Sequence, residues 1–432
     1  MADLIEEFLD VTESIRSPER FRLWTIITTI AAVLERKVWT VTDVNPLYPN
    51  LFTMLGGNPA SGKTIMTSLS RELLGSIKDM RFGPDSPTKE SFWDKLEDSG
   101  KLAINGMGVP VYSAMYQPAG EWGDFMSKYD HNFASSLSTI YDNPLIWSAP
   151  RRTSKDLLLE APTLNILGAI TPAALGDIIP DTAWGQGFTS RIVFVYGVAP
   201  AHLVRQMFVK RKDDRLVFIK ARLEEIFKTH HGEFIWEEPA QKAIEHWYNV
   251  LKGAPLPTYG KLVNYNGRRD THLMKLAMIS SVSGERFPYV TLNDFERACS
   301  WLFEAEKEMP NIFRAMIQRS DSGLIQDLAH WMYTEYSKVD IEKRKPLTEK
   351  ELWIFMENKS TTDKIPKLIQ AAERMGYIKR GPGFGMWLPG QFNVDVEQDI
   401  PDIMGEPGKP YEDYLEQLRR ENPDDGEIHR DD

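Results

Sequence analysis

Apolar residues in the first half of the chain fall into short continuous runs that charged or turn-forming residues separate. Runs at residues 51–55, 164–169 and 192–196 have the length and composition of strands that are buried on both faces, as in a parallel sheet. A glycine-rich segment follows the first run, and residues 65–78 continue after it with helical spacing. The order of strand, glycine-rich segment and helix predicts an α/β core.

Two helices are predicted before this core, at residues 2–17 and 18–35. The second begins with Ser17, Pro18 and Glu19, which is a capping residue followed by proline and an acid. Its most apolar stretch is too short to span a bilayer and has charged residues on both sides. We therefore expect it to be a buried helix of the fold.

The second half of the chain has a mainly helical pattern, which is clearest at residues 271–283 and 292–309. The next elements are three predicted helices and a glycine-rich hairpin: from residue 324, at 348–357, at 362–375, and at 377–388. Three helices followed by a hairpin are typical of a winged helix.

Negative charge is concentrated at the C-terminal end of the chain. The net charge is −11, and from residue 391 onward 14 acidic residues stand against four basic ones. Few aliphatic residues and several prolines accompany this charge, so the pattern predicts a disordered acidic tail. The rest of the chain is close to neutral, and the acidic total therefore does not exclude DNA binding.

The composition also limits the compartment and the kinds of metal site. Cys299 is the only cysteine, so neither an internal disulfide nor a cysteine-rich zinc site can form. The first residues include Asp3, Glu6 and Glu7 instead of a basic start followed by an apolar run. We expect a cytoplasmic protein with no membrane partner.

The glycine-rich segment matches the phosphate-binding pattern GxxxxGK[ST] in full. The matching residues are Gly57, Asn58, Pro59, Ala60, Ser61, Gly62, Lys63 and Thr64, and Ile65 follows them. In this pattern the glycines let backbone N–H groups turn toward the phosphates, the lysine neutralises the β and γ oxygens, and the threonine hydroxyl joins the Mg²⁺ shell. The following helix adds the positive end of its dipole. Residues 57–65 are therefore predicted to bind ATP or a close relative, with Mg²⁺.

A magnesium-bound triphosphate also requires a carboxylate at the end of a neighbouring strand. The strand pattern at residues 109–115 leads to Glu121 and then to Asp124. We predict that Glu121 holds Mg²⁺ through water or polarises the attacking water, with Asp124 as the second choice. The usual four apolar residues do not directly precede Glu121, so a surface acid after a strand is the alternative.

Residues 188–194 read Phe-Thr-Ser-Arg-Ile-Val-Phe and lead into the apolar run at 192–196. They resemble the segment before the fifth core strand of AAA+ helicases of the minichromosome-maintenance type. The resemblance implies that Arg191 is an arginine finger, which reaches the neighbouring subunit and accelerates phosphoryl transfer by about a thousandfold or more. Hydrolysis would then require a ring or filament. The alternative for Arg191 is a salt bridge that stabilises the fold.

Further matches to the same helicases follow in the family's order. Thr171, after the run at 164–169, resembles their polar sensor residue and would take part in catalysis. The helical pattern from about residue 213 resembles their lid, whose nucleotide-sensing arginine would correspond to Arg268 or Arg269.

Residues 47–51 (Leu-Tyr-Pro-Asn-Leu), 57–64 and 187–191 are closer still to an uncharacterised P-loop family of phages and mobile elements, often found beside or fused to primase. The resemblance covers roughly residues 18–310. It implies a hexameric ring that uses ATP and Mg²⁺, in the host cytoplasm if the protein is viral. Glu121 departs from the family's pattern, because the usual acidic pair is missing.

The predicted fold class is thus α/β, with a P-loop NTPase core of AAA+-like type, a helical lid and a C-terminal winged helix. The predicted parts are an N-terminal helical segment at 1–45, the ATPase core at 46–212, the lid at 213–319, the winged helix at 320–390 and the acidic tail at 391–432.

Two groups of basic residues are candidates for contacting DNA phosphates. The first lies at the tip of a predicted hairpin before the fourth strand and comprises Arg151, Arg152 and Lys155. The second lies on the third helix and the wing of the predicted winged helix: Lys364, Lys367, Arg374, Lys379 and Arg380. A solvated hairpin with incidental charge and a winged helix that contacts protein are the alternatives.

These observations favour an ATP-dependent DNA helicase or translocase in phage or mobile-element replication, acting on single-stranded or forked DNA. The alternative is a replication initiator or helicase loader that ATP switches and that binds DNA without unwinding it. The acidic tail would recruit a primase or another replication protein, occupy the basic pore, or merely increase solubility. Action on RNA is not excluded by the sequence.

Overall fold

The computed structural model describes most of the chain up to residue 390. The described residues are 3–42, 45–101, 112–126, 129–151, 156–180, 183–184, 187–199, 214–254, 260–317, 321–338, 345–357, 359–360, 362, 364–383 and 385–390. The chain divides into two compact units. Of the described residues, those up to Pro310 belong to the first unit and those from Asn311 onward to the second. The predicted tail at 391–432 lies outside the described residues.

A mixed sheet forms the centre of the first unit, in the order β4-β5-β8-β3-β9. Its strands are β3 (Phe52–Gly56), β4 (Gly100–Lys101), β5 (Tyr112–Ala119), β8 (Thr163–Ile170) and β9 (Ile192–Tyr196). Four of these strands are parallel, and the short edge strand β4 runs antiparallel to β5. Every residue of β3, β5 and β8 is buried. Both faces of these strands are covered by helices or loops, which explains why the strands are continuous apolar runs in the sequence.

The N-terminal helices belong to the first unit. They are α1 (Leu4–Val11) and α2 (Glu19–Leu34). Nearly all of α2 is buried, because it is apolar on every side and packs on the sheet. The hydroxyl of Thr28 lies 2.8 Å from that of Thr53 on β3. The expected segment 1–45 is therefore continuous with the core.

Further helices belong to the first unit, which ends at Pro310 within the last of them. They are α3 (Lys63–Leu74), α4 (Lys89–Glu97), α5 (Trp122–Phe125), α6 (His131–Tyr141), α7 (Pro172–Ile178), α8 (Asp214–Thr229), α9 (Glu238–Asn249), α10 (Val263–Asn266), α11 (Arg269–Ser283) and α12 (Leu292–Ile317). The remaining strands are short: β1 (Val38–Val41), β2 (Pro46–Leu47), β6 (Ile146–Ala149), β7 (Leu157–Glu160), β10 (Gly232–Glu233), β11 (Ile235–Trp236) and β12 (Tyr289–Val290). The expected lid at 213–319 is not a separate unit up to Pro310.

The second unit consists of helices and a small antiparallel sheet. The helices are α13 (Asp321–Ser337), α14 (Glu349–Glu357) and α15 (Ile365–Arg374). The sheet has the order β13-β15-β14, from Leu347–Thr348, Met386–Pro389 and Ile378–Arg380. Its core includes Leu328, Leu352, Leu368 and Trp387. The predicted hairpin is present, and β13 adds a strand that the sequence did not indicate.

Candidate active site

A loop of residues 57–62, here called the glycine loop, joins the central strand β3 to α3. The strands beside β3 are β8 and β9, and both run parallel to it. The glycine loop therefore lies at the carboxyl edge of the sheet, where ligands of open α/β sheets bind. Helix α3 begins at Lys63, so its positive end is at the loop.

The backbone of the glycine loop has two left-handed residues. Ala60 has φ 62° and Gly62 has φ 89°, which a residue with a side chain rarely adopts. A Cβ atom on Gly57 would lie 2.5 Å from the carbonyl oxygen of Gly197, and one on Gly62 would overlap the carbonyl oxygen of Arg16. Left-handed residues alternate here with others, which is the arrangement that turns successive N–H groups toward an anion.

Lys63 is held inside the glycine loop. Its Nζ donates to the carbonyl oxygens of Gly57 at 2.7 Å and Asn58 at 2.9 Å, and to the hydroxyl of Ser61 at 3.2 Å. Burial lowers the pKa of Lys63 below its ordinary value, while the negative charge of Glu121 opposes this shift. A buried cation whose hydrogen-bond partners are all neutral is a group that an anionic ligand would stabilise.

Thr64, in the first turn of α3, contacts the residue that precedes Glu121. The Thr64 hydroxyl donates to the carbonyl oxygen of Gly120 at 3.3 Å, and Glu121 follows at the N-terminus of α5. These oxygen donors fit Mg²⁺, which binds through few protein ligands and the substrate phosphates. Asp124, the second choice, is exposed. In the described part of the chain no group of three or more His, Cys, Asp and Glu forms a metal site by itself.

Thr171 is at the same edge of the sheet as the glycine loop. It follows Ile170, the β8 residue that pairs with Gly56, and the Gly57 N–H donates to the Ile170 carbonyl at 3.2 Å. Thr171 is also the N-cap of α7, where its hydroxyl accepts from the N–H of Ala174 at 3.4 Å. The position of Thr171 fits a polar contact with a ligand. Its role as the cap of α7 is by itself a structural reason for a threonine here.

Arg191 lies at the amino ends of the parallel strands, opposite the end that carries the glycine loop. It directly precedes β9, whose first residue, Ile192, pairs with Phe52 at the start of β3. The glycine loop is one strand length away, about 17 Å for five residues. Arg191 is therefore too distant to contact phosphates bound in the glycine loop of its own chain.

Asp142, at the end of α6, joins two of the predicted arginines. Its carboxylate pairs with Arg191, which donates from Nε at 3.2 Å, and with Arg268, whose Nη1 donates at 2.8 Å. We call these three residues the Asp142 cluster. Burial alone would raise the pKa of Asp142, but the hydrogen bonds and charges of Arg191 and Arg268 outweigh it and hold the pKa below its usual value. The sequence carried no signal for Asp142.

The two predicted nucleotide-sensing arginines are both paired with acids of their own chain. Arg268 lies in the Asp142 cluster at the amino edge and not beside the glycine loop of its own chain. Arg269 is 1% exposed and forms a bidentate ion pair with Glu306, with two N–O distances of 2.7 Å. It also donates to the carbonyl of Gly253. A fully buried and paired guanidinium holds the helices together and is not available to a nucleotide.

A buried polar network lies next to the Asp142 cluster. Lys275 donates to the carbonyl and side-chain oxygens of Asn50 at 2.9 and 2.8 Å, and its ammonium lies 3.8 Å from the ring centre of Tyr141. His272 is within 3.3 Å of both the Tyr141 hydroxyl and the Ser190 carbonyl. Since a carbonyl only accepts, His272 donates from Nε2 and accepts from Tyr141 at Nδ1, as a neutral ring does.

The predicted hairpin before the fourth strand is confirmed. Strands β6 and β7 pair antiparallel, with Ala149 opposite Leu157 nearest the tip. Arg151, however, forms ion pairs with Asp94 and Glu97 of α4. Its charge is therefore partly neutralised by the chain itself, unlike that of a free basic tip. Arg152 and Lys155 lie outside the described residues.

The basic residues predicted in the second unit are on its surface. Lys364 and Lys367 are exposed at the start of α15, and Lys379 and Arg380 are exposed on β14. Arg380 is paired with Glu373, whose negative charge partly neutralises it.

No protein-family model matches this chain, and no curated protein is similar enough to it to count as a relative. Within the described residues, none of the helices combines the length and the apolar character that a bilayer crossing requires.

Proposed function

We propose that this chain is an ATPase with an AAA+-like P-loop core. The observation that carries the proposal is the position of Lys63 and Thr64 in the first turn of α3, directly after the glycine loop at the carboxyl ends of the parallel strands, with the charge of Glu121 acting on Lys63. A buried lysine, a hydroxyl and a carboxylate around a backbone suited to anions are the groups that phosphoryl transfer requires.

Each residue has a separate part in the proposed reaction. Lys63 neutralises the β and γ phosphate oxygens, and Glu121 orients the attacking water. Thr64 and Glu121 would hold Mg²⁺, which supplies further neutralisation of the phosphate charge when bound. Thr171 donates a hydrogen bond near the transferred phosphate. The glycine loop and the start of α3 bind the remaining oxygens through N–H groups.

The Asp142 cluster supports action as an oligomeric ring. Arg191 and Arg268 lie together, one strand length from the glycine loop of their own chain. Two arginines placed in this way contribute to catalysis only if they face the glycine loop of a second copy. We therefore propose a closed head-to-tail ring, with a hexamer as the expected size.

DNA, single-stranded or forked, is the proposed substrate of the motor. The helicase resemblance of the sequence supports it, as do the β6–β7 hairpin and the second unit, whose helices and small sheet fit a winged helix. Lys364, Lys367 and Lys379 would contact phosphates there, where charge is needed more than base-specific contacts.

A second function, that of an ATP-switched initiator or loader, is favoured by one observation. Arg151 is paired with α4, and Arg191 is paired with Asp142, so two arginines that a translocating motor would use are engaged within the chain. Arginines held in such pairs fit a protein that exchanges these partners once, when it assembles. They fit less well in a motor, which would have to exchange them in every ATP cycle.

The first test combines an ATPase assay, with and without forked DNA, with a strand-separation assay on the same substrate. Lys63→Ala should abolish hydrolysis, whereas Lys78→Ala, outside the loop, should leave it unchanged. Unwinding coupled to DNA-stimulated hydrolysis supports the helicase. Stimulated hydrolysis without unwinding supports the initiator or loader, and hydrolysis that survives Lys63→Ala contradicts the proposed active site.

A further inference from the structure

A cavity of about 480 Å³ adjoins the glycine loop and has no role in the function proposed so far. It lies between the start of α2, the end of β9 and helix α12, and its lining includes Pro18, Arg20, Tyr196, Gly197, Glu304 and Glu308. Its volume is within the range of small-molecule sites.

The cavity shares two walls with the glycine loop. Gly197 lines the cavity, and its carbonyl oxygen is against Gly57 at the beginning of the loop. Pro18 also lines the cavity, and the two residues before it are against Gly62 at the end of the loop. The cavity therefore lies next to the loop that is proposed to bind the triphosphate.

Charged groups converge on this cavity from two elements. Arg20 donates to the carbonyl oxygen of Tyr196 at 3.3 Å, and its guanidinium lies 3.5 Å from a carboxylate oxygen of Glu304 and of Glu308. The two glutamates are four residues apart on α12, so they share one face of the helix. Arg20 thus fixes two hydrogen-bond acceptors at the cavity wall.

We propose that Glu304 and Glu308 select the nucleotide by accepting hydrogen bonds from the exocyclic amino group of its purine base. The inference rests on the proposed function, because it assumes that the triphosphate occupies the glycine loop. Ionised carboxylates only accept hydrogen bonds, and adenine and guanine both carry an amino group that donates. Hypoxanthine lacks it, and in the place of the adenine amino group it has a carbonyl oxygen, which a carboxylate repels. Arg20 is a positioning residue that acts through the two glutamates.

The test measures binding of ATP, GTP, ITP and inorganic tripolyphosphate, each with Mg²⁺, to the full chain. Wild-type protein should bind ATP or GTP at least about tenfold more tightly than ITP, because a site built for a donor rejects an analogue without it. The nucleotide that binds more tightly identifies the base. The double variant Glu304→Ala with Glu308→Ala should lose most of this preference. Glu296→Ala, two turns earlier on α12, should keep it.

Tripolyphosphate separates this inference from the proposed function. If it binds to wild type and not to Lys63→Ala, the glycine loop is a phosphate site whatever the base does. Retained tripolyphosphate binding by the double variant shows that the variant is folded. Equal affinity of the wild type for ITP, ATP and GTP, or an unchanged preference in the folded double variant, would overturn the base assignment. Failure of tripolyphosphate to bind wild type contradicts the proposed function instead.

Discussion

Arg268 and Arg269 are neighbours in sequence but have different environments. Arg268 is half-buried and shares the partly exposed Asp142 with Arg191. Arg269 is enclosed with Glu306, where burial raises the pKa of the carboxyl group and the charge of Arg269 opposes that shift. Tyr265 donates a third hydrogen bond to Glu306 at 3.0 Å. The two arginines should therefore affect different properties of the protein when they are changed.

Arg269→Met should destabilise the fold. It leaves the Glu306 carboxylate buried without its counter-charge, and the loss of one partner of a buried pair costs about 3–5 kcal/mol. Urea unfolding measures this free energy. Arg268→Met is the matched control, since it removes a partly exposed pair worth about 1 kcal/mol or less. Similar losses for both variants would contradict a structural role that is specific to Arg269.

At the scale of elements, His272 joins three of them. It belongs to α11, accepts from Tyr141 at the end of α6 and donates to the Ser190 carbonyl in the turn before β9. Burial lowers the pKa of His272 to about 3, and the positive charge of Lys275 adds to the effect. The ring is therefore neutral in the native protein at moderately acidic pH.

This neutral histidine predicts a pH dependence of stability. Between the unfolded pKa of about 6.5 and the native pKa, the unfolded chain binds a proton that the native chain does not, so stability falls as pH falls. His272→Gln should reduce the slope of unfolding free energy against pH by about 1.4 kcal/mol per unit near pH 5. Denaturant unfolding from pH 4 to 8 measures it. The difference at pH 8 reports only packing and hydrogen bonding, and an unchanged slope would contradict the prediction.

At the scale of the whole molecule, the central sheet separates the two sets of residues to which the proposed function gives a role. The glycine loop is at the carboxyl edge, and the Asp142 cluster is at the amino edge. Because β3 and β9 are parallel and fully paired, no rotamer change brings Arg191 to the glycine loop of its own chain. Catalysis that uses both sets must involve two copies.

Mixing two inactive variants tests this arrangement. Arg191→Ala lacks the arginine, and Lys63→Ala lacks a working loop. In mixed rings some interfaces join an intact loop to an intact arginine, so hydrolysis should partly recover above the level of either variant alone. The same recovery is expected with Arg268→Ala in place of Arg191→Ala. The ATPase rate of mixtures, with assembly monitored by light scattering, provides the measurement. No recovery in assembled mixed rings would rule out action in trans.

Much of the fold of the first unit could be predicted locally. The run at 192–196 coincides with β9, and those at 51–55 and 164–169 lie within one residue of β3 and β8. A parallel strand that is buried on both faces needs a continuous apolar run, and the sequence displays it directly. The sequence carried less information about the domain boundaries predicted at residues 45 and 212, because a helix such as α2 packs on the sheet without a change of composition.

The sequence by itself determined the order of strand, glycine loop and helix, because glycines, a lysine and apolar runs act within a few residues of one another. The tertiary structure alone decided the partners of the charges. Arg191 and Asp142 are 49 residues apart, Arg268 and Asp142 are 126 apart, and Arg269 and Glu306 are 37 apart. Such pairs depend on how elements pack, and adjacent arginines on one helix turn meet different neighbours. For the same reason the cavity beside the glycine loop, formed by α2, β9 and α12, has no signature in the sequence.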